Sequence, residues 1–320
     1  MLIRLPPDPA GSNPSVTSAE AWAGEARRVL RERAGIDVVT MTPTRSGESG
    51  TAFWITDRTG AVTLLKVMPG PDAAGHLRRV DGVAARLRNR GYPAPRCRFI
   101  GQAAGVAFSV QERLPGSPLE GDHGRPGRAA VTRLLDDLIR LNDAQEGLGD
   151  GRPGWPELIT STLTSGGDGY CVHSTLRDRP DTRDLLAALR RIGARCGPAI
   201  AEGSDFVHFD FNFANLLSDG SAITGVIDVN PPLLAGDRAF DLATLLFYDY
   251  DHDDLRTRLR ARLLHLAGPR PSSAYLAHMV LRQVDWSLRH HPGAAVTRRH
   301  LGLARLVMSD ITDGGPLAPS

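Results

Sequence analysis

The run His208-Phe209-Asp210-Phe211-Asn212-Phe213-Ala214-Asn215 carries a carboxylate and an amide five residues apart, in the pattern H-x-D-x-x-x-x-N. That is the spacing of a phosphoryl-transfer catalytic loop. In such a loop the Asp takes the proton of an attacking hydroxyl and the Asn lends an amide oxygen to magnesium. The loop must curl so that both side chains face one point. Downstream, Asp228 ends the strand-like run Gly225-Val226-Ile227, where a metal-binding aspartate would stand. Magnesium takes carboxylate and amide oxygens in preference to soft ligands. The plain alternative for either acid is a turn cap or a solvated surface group.

Lys66 is the only lysine in a chain whose Lys and Arg together number 38. Arginine-rich coding explains the arginines but not the one lysine that remains. An ammonium is a compact point charge suited to bridging phosphates, whereas guanidinium is a planar fork. Lys66 lies in Thr63-Leu64-Leu65-Lys66-Val67, and strand alternation puts it on the same sheet face as Leu64. A cation among apolar neighbours is costly unless an anion pairs with it. Just upstream, Ser46-Gly47-Glu48-Ser49-Gly50-Thr51 is a turn of small residues. Backbone N–H groups of Gly47, Ser49 and Gly50 could approach phosphates there. Alone, two glycines in a turn are just a turn. The order Gly-rich turn, strand lysine, catalytic-type loop, strand-end acid is the stronger signal.

The elements that must position these residues fall into two groups. A helix over 18–34 ends at Gly35. Short β-rich stretches follow at 36–41, 51–57 and 61–68, then a helix over 72–90, then strands at 98–100 and 106–112. Leu114-Pro115-Gly116-Ser117-Pro118 breaks the pattern. From residue 128 onward helices dominate, predicted at 128–145, 182–195, 240–248, 254–267, 272–289 and 294–308. Two short strands, 216–217 and 223–228, sit among them. The stretch 147–180 is rich in Gly, Pro, Ser and Thr and yields no assignment. The expected fold is α+β and two-lobed: an antiparallel β lobe over 1–112 that binds nucleotide, a hinge over 113–120, and a helical lobe over 121–320 that carries the catalytic loop. A cleft between lobes is the default place for a ligand.

Composition excludes several classes. The net charge of +2 gives no reason to expect a nucleic-acid or membrane-surface partner. No apolar run approaches the roughly 20 residues of a membrane span, and residues 1–14 hold Pro and Asp where a signal peptide would be apolar. A cytoplasmic protein, monomeric or homodimeric, is expected. Cys97, Cys171 and Cys196 form no CxxC pair, so neither a disulfide scaffold nor a zinc site is indicated.

Taken together, these segments resemble the aminoglycoside phosphotransferase and choline kinase family of small-molecule kinases, which have a protein-kinase-like fold. The resemblance runs from about Gly47 to Leu246. It is most specific in 207–217, in 225–228 and in Gly236-Asp237-Arg238-Ala239-Phe240-Asp241-Leu242, with support from Arg90-Gly91-Tyr92-Pro93-Ala94-Pro95 and Gln111-Glu112-Arg113-Leu114-Pro115-Gly116. It implies transfer of phosphate from ATP, with Mg2+, to a hydroxyl of a small molecule. It implies that Asp210 is the base, that Asn215 and Asp228 bind magnesium, and that Lys66 contacts the α- and β-phosphates. The backbone of Glu112 and Leu114 would meet adenine, and Asp241 would brace the catalytic loop. The acceptors found in the family include cationic amino-sugar antibiotics, whose phosphorylation confers resistance, and metabolites such as choline, amino sugars, fructosamines and homoserine.

Three positions depart from the family. Phe209 stands where Gly is common, and Asn230 where a second acid is common. The helix over 72–90 has no Glu to orient Lys66; Asp81 is its only mid-helix acid and the candidate partner. Two other readings stay open: a metal phosphohydrolase using His208, Asp210 and Asp228, and a binding module that holds ATP without turnover. The acidic run Asp249-Tyr250-Asp251-His252-Asp253-Asp254 is either a helix start or a landing site for a cationic acceptor. His290, His291 and His300 lack metal-ligand spacing and are expected at the surface.

Overall fold

The computed structural model describes residues 16–44, 52–103, 105–120, 128–167, 169–229, 235–312 and 317, with side chains from 23 onward in the first helix and from 131 onward in the third. The chain divides into two compact units. One is β-rich and spans 6–117 with 217–229; the other is helical and contains 118–216 and 230–320. The expected helical lobe thus loses 217–229 to the β-rich unit.

In the β-rich unit, α1 (Val16–Ala34) stops at Gly35, whose φ of 66° suits glycine. Strands β1 (Val38–Pro43), β2 (Ala52–Asp57), β3 (Val62–Pro69), β4 (Cys97–Ala103) and β5 (Val106–Glu112) form one antiparallel sheet in the order β1-β2-β3-β5-β4. Helix α2 (Ala73–Asn89) connects β3 to β4. Period-two alternation gives the sheet two apolar faces. Ile55, Leu65, Val67, Phe108 and Val110 pack with Ala26, Val29 and Leu30 of α1. Ala107, on the opposite face of β5, packs with Ala73 and Leu77 of α2. A second sheet, ordered β6-β7-β8, joins Ser117–Pro118, Leu216–Ser218 and Ile223–Val226.

The helical unit contains α3 (Arg128–Ala144), α4 (Trp155–Ser165), α5 (His173–Arg177), α6 (Arg183–Cys196), α7 (Ala239–Tyr248), α8 (Asp253–Ala267), α9 (Pro269–His290) and α10 (Ala295–Ile311). Helix α9 is its axis and packs against α4, α5, α6, α7, α8 and α10. Tyr275 to Leu281 are all buried, as expected of a helix that is apolar around most of its circumference. A charged side chain on the buried part of α9 therefore needs a partner. Helix α4 falls in the stretch that yielded no assignment. It buries Trp155, Ile159, Thr162 and Leu163, a helical spacing masked by its weak helix formers. Pro156 sits in its first turn, where the missing N–H costs nothing.

Candidate active site

The catalytic-type loop lies in the helical unit and is held from below by Asp241. That carboxylate is fully buried on α7. Its Oδ2 accepts from the backbone N–H of His208 at 2.7 Å and from Gln145 Nε2 at 2.7 Å; its Oδ1 accepts from Phe209 N–H at 2.9 Å. Burial pushes the Asp241 carboxyl up to about 6, while neighbouring His208 and the three donors favour the ionised form. Asn142 Nδ2 donates to Gln145 Oε1 at 2.8 Å and so orients the amide. The brace implied for Asp241 is therefore a set of three hydrogen bonds onto one buried acid.

Beyond the brace, the backbone turns sharply. Phe209 has φ 72°, a left-handed conformation that a bulky residue rarely adopts. This explains why glycine suits the position. The Phe209 ring is buried and stacks on Phe240, with centroids 5.0 Å apart and planes 14° apart. Trp155, Tyr170 and His278 meet it edge-on. The turn leaves the Asp210 side chain one-third exposed, with Asn215 Nδ2 donating to its Oδ2 at 2.9 Å and to its backbone O at 2.9 Å. Because the amide nitrogen of Asn215 is used this way, its Oδ1 is directed away from the carboxylate. An oxygen so placed is a hard donor of the kind magnesium takes. Asn212 Oδ1 accepts from Ala214 N–H and Asn215 N–H and closes the turn.

Arg282, on α9, is the residue that sequence reasoning missed. Its Nη1 donates to Phe209 O at 2.6 Å and its Nη2 to Asp210 Oδ1 at 2.9 Å. The guanidinium carbon lies 5.1 Å from the centre of the Phe209 ring. Burial disfavours its charge most strongly, and Asp210, with smaller help from Tyr248, Cys171 and Tyr170, outweighs this and raises its pKa above the ordinary guanidinium value. A signal was present: a basic residue one position beyond the run 274–281, which is apolar but for His278.

In the β-rich unit, Lys66 Nζ pairs with Asp228 Oδ1 at 2.5 Å. Thr63, Leu65 and Val67 are buried on one face of β3, and Lys66 is half-buried on the other. Asp228 has φ 61°, a left-handed conformation that Asp tolerates. The strand before it is tied down by Val226 N–H donating to Pro93 O at 2.9 Å. Asp81 corrects an expectation: it does not meet Lys66 but lies 4.0 Å from Arg88. Asp81 faces the β4 side of α2, where its charge also acts on the Cys97 thiol. Glu112 donates its N–H to Arg96 O and accepts Arg96 N–H on Oε1. Leu114 lies beside Gly225. Gly47, Ser49, Gly50 and Asn230 lie outside the described residues.

In the acidic run, Asp251 lies 3.8 Å from Arg299 of α10. Asp249 is buried at the C-cap of α7, and Asp253 and Asp254 lie in the first turn of α8. Asp253 pairs with Arg256 at 2.7 Å. His300, expected at the surface, is buried; its Nδ1 lies 3.2 Å from Gln283 O, and Tyr248, Phe247 and Trp286 surround it. It fills the seam where α10 packs on α9.

An antiparallel β-rich unit and a helical unit with a braced H-x-D-x-x-x-x-N loop define a kinase-like phosphotransferase. The model of the Phosphotransferase enzyme family matches residues 40–277, and the chain belongs to that family. It is accordingly a phosphotransferase that acts on hydroxyl acceptors. Among solved structures, a thermostable mutant of the aminoglycoside phosphotransferase APH(4)-Ia, in its apo form, is similar with a TM-score of 0.66 and 20% identity, over 88% of this chain and 98% of that one. The aminoglycoside phosphotransferase APH(3'')-Id from Streptomyces rimosus ATCC10970, in complex with ADP and streptomycin, is similar with a TM-score of 0.55 and 16% identity, over 80% and 97% of the two chains. A Haemophilus somnus 129PT protein assigned as a fructosamine-3-kinase is similar with a TM-score of 0.54 and 14% identity, over 89% and 97%. At these identities the likeness is one of fold. No curated protein matches the sequence significantly.

Proposed function

We propose that the chain transfers the γ-phosphoryl group of ATP to a hydroxyl of a small molecule. The observation that carries this is the loop in which Asp241 pins two consecutive N–H groups and leaves the Asp210 carboxylate one-third exposed beside Asn215. In this reading Asp210 receives the proton of the acceptor hydroxyl and aims its oxygen. Lys66 contacts the α- and β-phosphates, and the backbone of Glu112 and Leu114 meets adenine. The Glu112 N–H already donates to Arg96 O, which leaves its carbonyl as the group for the nucleotide. The turn with Gly47, Ser49 and Gly50 completes the phosphate contacts.

Asn215 and Asp228 would hold Mg2+, and both offer the hard oxygens that ion takes. Bound there, the metal neutralises charge on the β- and γ-phosphates. Asp228 would then serve the metal and Lys66 the phosphates in place of their pairing with each other. The hydrolase alternative has no use for a lysine in this place, and the binding-module alternative leaves a braced carboxylate without a task.

For the acceptor we propose a small hydroxylated, cationic molecule, with aminoglycoside-type antibiotics as one group and metabolic amino sugars or fructosamines as the other. Support for the first is the streptomycin-bound relative, and for the second the fructosamine-3-kinase-like one. The proposal places the protein in the cytoplasm, where ATP is supplied. The test is a screen of purified protein with MgATP against aminoglycosides, choline, amino sugars, fructosamines and homoserine, reading ADP release. Turnover with one compound that is abolished in Asp210→Asn supports the reading. ATP hydrolysis or transfer that persists at the wild-type rate in Asp210→Asn sinks it.

A further inference from the structure

We propose that Arg282 is a positioning residue for the base, acting on the reaction through Asp210. Three observations converge on it. First, Arg282 is anchored on α9, the buried axis of the helical unit, so its reach is set by a rigid element. Second, its planar fork spans two acceptors at once: the carbonyl of Phe209 at 2.6 Å and Oδ1 of Asp210 at 2.9 Å. A guanidinium has the shape for this and an ammonium does not. Third, the peptide it grips is the strained one. Phe209 holds φ 72°, and its N–H is taken by Asp241 while its C=O is taken by Arg282. The two sides of that residue are thus pinned from α7 and α9.

The consequence for Asp210 is geometric. Arg282 occupies Oδ1 and Asn215 occupies Oδ2, so both torsions of the side chain are set before any acceptor arrives. The acceptor hydroxyl must approach along a remaining lone pair of a carboxylate that does not swing. Misplacing a reacting group by about 1 Å costs on the order of 10²-fold in rate. The guanidinium also faces the carboxylate from the side of the protein core, where it offsets the repulsion between Asp210 and an arriving phosphate anion.

This rests on Asp210 being the base, and the test separates the two claims. Arg282→Met, Arg282→Lys, Asp210→Asn and the double variant Arg282→Met/Asp210→Asn are compared, using MgATP with water as the acceptor and reading ADP release. Arg282→Met is expected to lower kcat about tenfold or more, with KM for MgATP within about twofold. Arg282→Lys, which keeps the charge but not the fork, is expected to recover part of the loss. Adding Arg282→Met to Asp210→Asn is expected to cost little further, because both act on one group. A second readout needs no turnover: amide hydrogen exchange across 206–217 should quicken in Arg282→Met. Wild-type kcat in Arg282→Met, a full additive loss in the double variant, or unchanged exchange over 206–217 would each overturn the role of Arg282. A wild-type rate in Asp210→Asn alone would instead remove the base assignment.

Discussion

At the scale of single residues, the proposed chemistry rests on Asp210. Asp210→Asn keeps the shape and loses the basicity, so kcat should fall by roughly 10²-fold or more while ATP affinity stays nearly the same. Steady-state kinetics beside nucleotide titration would show it; a parallel loss of metal affinity would point to the hydrolase reading. Asp241 is a different case, because it touches no reactant. An Asn at 241 would turn an NH2 toward one of the donors it now accepts from, leaving a buried N–H unpaired. We expect Asp241→Asn to destabilise the protein by about 1–3 kcal/mol and to slow catalysis as well. Denaturant unfolding that matches wild type would show that the brace is dispensable.

At the scale of elements, α9 makes stability depend on pH through a buried neutral histidine. Burial pushes His278 down to about 3, with Arg282 adding to the effect; Tyr170, Phe209 and Phe240 line its other sides. Between the unfolded value near 6.5 and the folded value, the unfolded chain binds the extra proton. His278 therefore costs nothing above about pH 6.5, and stability falls progressively as pH drops toward 3. His278→Phe should fit the same aromatic cluster and flatten the fall of Tm between pH 6.5 and 4. A slope as steep as wild type would show that His278 is not the group protonated. The start of α8 gives a second check at this scale. Neutralising Asp253 and Asp254 removes a favourable charge at a helix N-terminus and should cost up to about 1 kcal/mol per position. If KM for a cationic acceptor rose instead, with stability unchanged, the run would be part of the acceptor site.

For the whole molecule, the nucleotide reading predicts a linkage between binding and unfolding. A ligand at 100 times its Kd adds about 2.7 kcal/mol to stability. MgATP should therefore raise Tm in the wild type by several degrees. Lys66→Ala should lose most of that shift while its ligand-free Tm stays close to wild type, since the pair with Asp228 is partly exposed and contributes little. Lys66→Arg should also fare poorly, its fork being larger and differently shaped. An undiminished MgATP shift in Lys66→Ala would take the lysine out of nucleotide binding.

What the sequence determined by itself is what local order encodes. The catalytic-type loop packs its pattern into eight residues, so spacing alone brings Asp210 and Asn215 to one turn. The order of β-rich and helical stretches, together with the motifs, was enough to read the fold class and the family. Pairings between distant residues were decided only by the tertiary structure. Lys66 and Asp228 are 162 positions apart, whereas Asp81, nearer in the chain, lies against Arg88. Arg282 is 72 positions from Asp210 and has no motif of its own. Its role exists because α9 runs through the middle of the helical unit, where a buried cation must find an anion and where the strained carbonyl of Phe209 also lies within reach.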